Sequence, residues 1–395
     1  MTYGTNDISE NFMKKLVLFG AGQGHVVDEN IGLKPAFIVD NNPDMQGTDY
    51  CNLEVKSPSI LDGMSKTYDV IVCTTSVSEV KNQLISYGYT WGENARIADV
   101  LYEKSVIADL EDEKFSFLIS SGLPSLATSF SGGGIHLVTE NGDYPEIETK
   151  YKGDTHGLVS LENGGYAFTC QGEGIVCIDS DYNVVNTIPL RKGLRPHGLK
   201  RYKNNWVVVC SLGDCILGVN DDAEEIFCYE FSNKISSYES AQHHCNDVEI
   251  IGDFAYTSMF SVTGNWKRGI FDGGIIEVNL LSGEMNILNN NLTMPHNVTN
   301  INDGLFILDS FKGKLLTSNF TMIAQLPGFV RGFDYTDTYY FVGESKNRNF
   351  SRLSTDRSPV SIDSRITIIN KEYSFCRSVP LPSRISEIHA IIHKP

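Results

Sequence analysis

Imidazoles recurring in a fixed local setting are the feature of this sequence most able to do chemistry. Met294-Pro295-His296-Asn297-Val298 has the same form as Arg195-Pro196-His197-Gly198-Leu199 and Asp154-Thr155-His156-Gly157-Leu158. Looser copies are Cys245-Asn246-Asp247-Val248, Val330-Arg331-Gly332-Phe333 and Ile388-His389-Ala390-Ile391. Each places a polar residue, then a small or polar one, then an apolar one. Four imidazoles, an amide and a guanidinium at equivalent positions support two kinds of chemistry. Joined by oxygen donors, they would hold a divalent ion such as Zn²⁺, Mn²⁺ or Ca²⁺, the number of oxygens deciding which. An open ligand position would then activate water or polarise a carbonyl. Without a metal, a histidine titrating near neutrality serves as general base, and Arg331 as an oxyanion clamp.

The elements that must position these residues follow from their spacing. The copies lie roughly 35 to 58 residues apart, as in propeller blades. A turn and several apolar β runs follow each of the first five, which is the content of a four-stranded blade. The inner strand of a blade starts near the axis, and the second strand ends on that same face. The openers His156, His197, Asn246, His296, Arg331 and His389 should therefore converge with the closers Gln171, Ser211, Ser258, Asp309, Glu344 and Ser121. The candidate metal set is His156, His197, Asn246, His296, Asp309 and Glu344. The candidate acid–base and anion-holding set is His197, His296, Arg331, Lys346, Arg348 and His389. Polar groups that only hydrogen-bond channel water are the structural alternative. Three basic stretches should rim the face: Lys346, Arg348 and Arg352; Arg191, Lys192 and Arg195; and Lys267 with Arg268 after Trp266. His243 and His244 stand nearby. They read as a pocket for a carboxylate or phosphate, or as solvated loops.

The chain ends just after the sixth copy, so the last blade needs outer strands from upstream. Phe115 to Ser120, Gly134 to Val138 and Glu146 to Thr149 fit, giving a ring of six blades shut by pairing of its two ends.

Ahead of the ring, residues 1–12 are a polar lead. Lys15 to Phe19 reads as a buried strand entering Gly20-Ala21-Gly22-Gln23-Gly24-His25. Strand, glycine turn and helix form the cradle that brings backbone amides to a phosphate. A second strand, Ala36 to Val39, ends on Asp40, where an acid would meet a ribose hydroxyl. A third, Val70 to Cys73, ends on Thr74-Thr75-Ser76 and leads into a helical pattern through Val80 to Leu84. Ile97 to Leu101 is a candidate last strand. The cofactor-binding candidates are Gly20, Gly22, Gly24, His25, Asp40 and Thr75. The expected organisation is a Rossmann-like α/β domain over 13–105, a linker or surface helix over 106–114, and an all-β six-bladed propeller over 115–395.

The composition is that of a globular protein, 41% hydrophobic and 21% charged. A net charge of −17, from 32 Lys and Arg against 49 Asp and Glu, argues against a nucleic-acid or anionic-membrane partner. The nine cysteines lack CxxC pairing, and several sit in apolar strands. They read as reduced core residues of a cytoplasmic protein. No signal peptide or membrane span is expected.

Residues 13–105 resemble the N-terminal domain of PglD- and NeuD-type sugar acyltransferases, through Gly20, Ala21, Gly22, Gly24, His25, Asp40 to Pro43 and Thr74 to Ser76. The resemblance implies a domain that helps to hold a nucleotide-activated sugar. The hexapeptide repeats of the acyltransferase domain are missing, so acyl transfer is not implied. Residues 115–395 resemble six-bladed propellers of the gluconolactonase and strictosidine-synthase type. Asn246-Asp247 matches the pair whose Asn is a metal ligand in gluconolactonases. Pro196-His197-Gly198-Leu199 is similar to the repeats of streptogramin lyases, which are metal-dependent and use a catalytic histidine. The resulting expectation is a metal-assisted lyase, hydrolase or isomerase acting on an anionic or nucleotide-activated sugar. A non-catalytic binding or scaffold protein, and an NAD-dependent oxidoreductase using Gly20 to Gly24 and Asp40, are the competing readings. A homo-oligomer is left open.

Overall fold

The structure is a computed structural model, and it describes residues 14–123, 132–141, 144–232, 241–346 and 360–395. The chain divides into two compact units, Met1–Glu113 and Lys114–Pro395. No helix among the described residues is long and apolar enough to cross a membrane.

The first unit is a small α/β body. Its elements are β1 (Lys15–Phe19), α1 (Gly24–Asn30), β2 (Phe37–Val39), β3 (Asp49–Tyr50), β4 (Leu53–Lys56), β5 (Tyr68–Val72), α2 (Val77–Ser86), β6 (Ala95–Ile97) and α3 (Tyr102–Asp112). The mixed sheet has the order β3-β4-β2-β1-β5-β6. All neighbours are parallel except the β3–β4 hairpin. β1 is apolar on both sides because both faces are covered. Val17 and Phe19 pack into one core and Leu18 into the other. The hairpin has no sequence cue of the Asn-Gly kind; its turn is carried by Cys51 and Asn52, both at left-handed φ (50° and 63°). The last strand lies earlier than expected, at Ala95–Ile97 rather than over Ile97 to Leu101. It stops at Ile97, and Asp99–Leu101 form a 3₁₀ turn leading into α3. The acidic stretch from Val106 lies within α3, and Asp109 pairs with Lys81 of α2 at 2.6 Å.

The second unit holds six four-stranded antiparallel sheets. The inner strands of blades one to five are Thr155–Ser160, Pro196–Tyr202, Cys245–Ile251, His296–Ile301 and Phe329–Tyr335. In blade six the inner strand is Ala390–Lys394, which pairs with Ser116–Ser121; Gly134–Asn141 and Tyr144–Lys152 lie outside it. Each inner strand packs on the next, and that of blade six on that of blade one, so the strands surround an axis. Apolar seams fill the wedges between blades. Leu199, Trp206 and Leu217 meet Ile175 and Ile188 at one seam; Phe115, Phe117, Phe341 and His393 interlock at another. Arg377 of blade five clamps Glu140 of blade six through two contacts of 2.6 and 2.8 Å.

Candidate functional site at the axial mouth

The repeat residues sit at irregularities in the pairing. The register between inner and second strand shifts across Thr155/Leu158, Pro196/Leu199, Cys245/Val248, His296/Val298 and Val330/Phe333. A bulge sets two residues against one and re-aims a side chain that would otherwise alternate. Second-strand hydroxyls pin these bulges. Thr169 Oγ1 accepts from the Gly157 amide at 3.0 Å and donates to the His197 carbonyl at 2.6 Å. Ser258 Oγ accepts from the Asp247 amide at 3.2 Å.

The openers do converge. The imidazoles of His156 and His197 stack at 4.0 Å, and His389 lies 4.1 Å from His156. His296 lies against Phe329 at 5.5 Å, and the Arg331 guanidinium sits 4.7 Å over the same ring. Asn246 donates to the carbonyls of His244 and Pro295. All six openers are buried. Among the described residues, both ring nitrogens of His156, Nε2 of His197 and Oδ1 of Asn246 have no hydrogen-bond partner. An unmade buried hydrogen bond costs about 1–3 kcal/mol, so these atoms call for a partner beyond the described side chains, channel water or a ligand.

Two carboxylates that the sequence reading passed over complete the site. Asp154 Oδ1 lies 3.4 Å from His156 Nε2, an ion-pair distance without hydrogen-bond alignment. Glu387 Oε2 lies 3.1 Å from His389 Nε2 and 3.4 Å from Arg331 Nη1. Both acids stand two residues ahead of their histidine, so Asp-x-His and Glu-x-His were the available signal. The two pairs meet at Gly122. A Cβ there would lie 2.6 Å from His389 Nε2 and 3.1 Å from both Asp154 Oδ1 and Glu387 Oε2.

The position two residues ahead also divides the mouth chemically. It is Glu387, Asp154 and Arg195 in blades six, one and two, but Met294 and Phe329 in blades four and five. Phe260, Met294, Phe311 and Phe329 form a buried apolar cluster there, with Trp266 and Phe271 half-buried against it. His244 joins that wall at 4.3 Å from Phe260. In three successive blades this position holds a non-glycine residue at left-handed φ: Arg195 (52°), His244 (53°) and Met294 (52°). Strain of this kind is tolerated where the surroundings over-determine it, commonly at functional sites.

Burial, with the neighbouring cations, pushes His197 and His296 well below the usual imidazole range, and His389 is lowered for the same first reason. These three are neutral at pH 7. Burial works to raise Asp154, but His156 and the Leu123 amide outweigh it and hold the carboxyl below its ordinary range. Asp154 is therefore ionised. Residues that follow the openers on the six inner strands, among them Gly157, Gly198, Asp247 and Asn297, line a cavity of about 530 Å³.

The metal set is not brought together. Asp309 accepts from the Thr293 amide at 2.8 Å and lies 3.5 Å from Lys312. Glu344 accepts from the Gly328 amide at 2.6 Å, from Arg365 at 2.9 Å and from Thr367. These two acids cap their own blades. The His156 and His197 rings are nearly parallel (14°), so their in-plane lone pairs run side by side and cannot meet on one ion at ~2.0–2.1 Å. His296 Nδ1 is engaged by Ser310 at 2.9 Å. No group of three or more metal-ligating side chains forms among the described residues. The donors do not fit a divalent ion. Lys346 and Gln171 are both exposed. Arg348 and Arg352 lie outside the described residues.

The glycine turn of the first unit is filled from within. The Asp40 carboxylate accepts from the amides of Ala21 (2.6 Å), Gly22 (3.3 Å) and Asn42 (2.8 Å). The amides expected to meet a phosphate and the acid expected to meet a ribose thus satisfy each other. Gly20, at φ 108°, has room for no Cβ because Thr74 Cβ would lie 2.9 Å away. A Cβ on Gly24 would meet the Tyr50 hydroxyl at 2.2 Å. His25 and Thr75 are exposed. This arrangement does not fit a dinucleotide seated on the turn.

Fold and site together define a six-bladed β-propeller with a histidine-lined axial mouth. The chain belongs to the family described as Domain of unknown function (DUF4915), which matches residues 181–395. No curated protein matches it. Solved structures similar to it include a protein of unknown function from Bacteroides caccae (12% identity over 71% of this chain and 99% of that one, TM-score 0.51). Others are the nidogen/laminin complex (11%, 71% and 98%, 0.48) and catalytically inactive virginiamycin B lyase from Staphylococcus aureus with quinupristin (13%, 68% and 86%, 0.42). At these identities the likeness is one of fold.

Proposed function

We propose that the axial mouth is an acid–base active site acting on a small anionic molecule, in a lyase or isomerase reaction begun by proton abstraction beside a carbonyl or carboxylate. The observation that carries this reading is the pair of carboxylate–imidazole dyads, Asp154–His156 and Glu387–His389, set 4.1 Å ring to ring. With two dyads at one point, one imidazole can take up and return a proton while its neutral neighbour holds the substrate in place. Asp154, ionised, orients His156 and stabilises the imidazolium formed when its free Nδ1 takes the substrate proton. The His156 imidazolium then returns that proton to a neighbouring carbon or to a leaving group, while His389, neutral and steadied by Glu387, orients the substrate by hydrogen bonding. Arg331 holds the charge that develops on the carbonyl oxygen. His197 and Asn246 supply hydrogen bonds to substrate polar groups.

Proton abstraction is tested by incubating the protein in D₂O with a library of anionic sugar derivatives and other small carboxylates, read by proton NMR. Loss of a C–H signal that depends on the protein and vanishes in His156→Gln supports the proposal. Ligands that bind without any exchange would make the mouth a recognition site.

A further inference from the structure

A second cavity, about 300 Å³, lies between blades one and two. Its walls include Gln171 and Gly172 on one side and Arg191, Lys192, Gly193 and Arg195 on the other. Arg191 is engaged, its Nε 3.4 Å from Glu225 and its Nη2 3.2 Å from Cys228 Sγ. Lys192 and Arg195 make no ion pair among the described residues. The backbone of the same loop is anchored by its carbonyls: Leu194 accepts from Leu212, and Arg195 from Ser211, both at 3.0 Å. The amides of Lys192, Gly193, Leu194 and Arg195 find no backbone acceptor among the described residues. Gly193, at φ 88°, lets the loop turn back on itself.

We propose that this cavity is an oxyanion subsite for a phosphoryl group carried by the molecule that reacts at the ring. Two uncompensated cations and a run of loop amides suit a tetrahedral dianion, whereas a carboxylate would leave one cation unmatched. Arg195 is two residues from His197, so their backbones are at most about 7 Å apart. A phosphoryl group in the cavity and a reacting carbon at the imidazoles therefore fit one small molecule. The second half of this statement rests on the acid–base reading; the subsite itself does not.

The test is calorimetric titration of the full chain with inorganic phosphate at low salt, beside sodium acetate. Saturable phosphate binding is expected, weakened about tenfold in Lys192→Gln and about a hundredfold in the Lys192→Gln/Arg195→Gln double variant, as for loss of one and two charge-assisted contacts. Arg195→Lys should keep most of the affinity, and unchanged thermal melts would confirm that the variants fold. His156→Gln should bind phosphate like the parent, which separates the subsite from the fate of the acid–base reading. No saturable binding, equal binding by the double variant, or acetate competing as strongly as phosphate would overturn the proposal.

Discussion

The glycine turn of the first unit and the histidine ring of the propeller carry signals of equal promise in the sequence, and they fold to opposite ends. At the turn, Asp40 consumes the amides of Ala21, Gly22 and Asn42. At the ring, His156 and His197 keep buried nitrogens without partners, and Asp154 and Glu387 each stand beside an imidazole. The lesson is that a motif marks where polar groups gather. Whether its own chain satisfies them decides whether they are structure or function.

That contrast can be broken by substitution. The largest effect should come from His156→Gln or His389→Gln: a loss of about 10²–10⁴-fold in the rate of substrate exchange. In His156→Gln thermal stability should stay level or rise, since an unpartnered buried group has been altered. If either variant unfolded while retaining turnover, the ring would be the structural element.

Asp40→Ala should behave in the reverse sense. It orphans three amides and should lower the stability of the first unit by about 2–3 kcal/mol in denaturant unfolding. Ligand binding by the propeller should be unaffected. A gain of nucleotide affinity without loss of stability would show the turn to be a working cradle.

Gly122→Ala sharpens the claim about the dyads. A methyl group among Asp154, His389 and Glu387 must push at least one aside. Exchange should drop more than stability does, and Gly122→Ser should be no better.

The pH dependence is a smaller effect with a definite sign. His197, His296 and His389 have folded-state pKa values below the ordinary imidazole value of 6.5. Between that value and the lowered ones the unfolded chain binds more protons, so stability increases with pH. Melting temperature should therefore fall as pH is taken from 7 towards 5, less so in His197→Gln. The smallest expected effect is that of chelation: because the donors do not converge, EDTA should leave the melting temperature unchanged.

The blades were legible because each inner strand restates one short pattern and is followed by apolar runs that only sheets can bury. The six openers were legible for the same reason. Asp309 and Glu344 were misread. A residue closing a second strand can face the axis or cap its own blade, and the presence of Thr293, Gly328 and Arg365 within reach is not visible from spacing. Asp154 and Glu387 were missed although their Asp-x-His and Glu-x-His spacing was in plain view; only the folded ring shows the two pairs back to back. Asp40 was placed correctly at a strand end, but its turn back onto Ala21 and Gly22 depends on Asn42 and the following residues.

The account rests most heavily on the state of the ring imidazoles. Long-range proton–nitrogen NMR of ¹⁵N-histidine-labelled protein reads it directly. The account expects His197, His296 and His389 to remain neutral from pH 7 down past 6 and, with His156, to shift when a ligand of the mouth is added. Imidazoles that titrated near 6.5, or that ignored every ligand the protein binds, would contradict it.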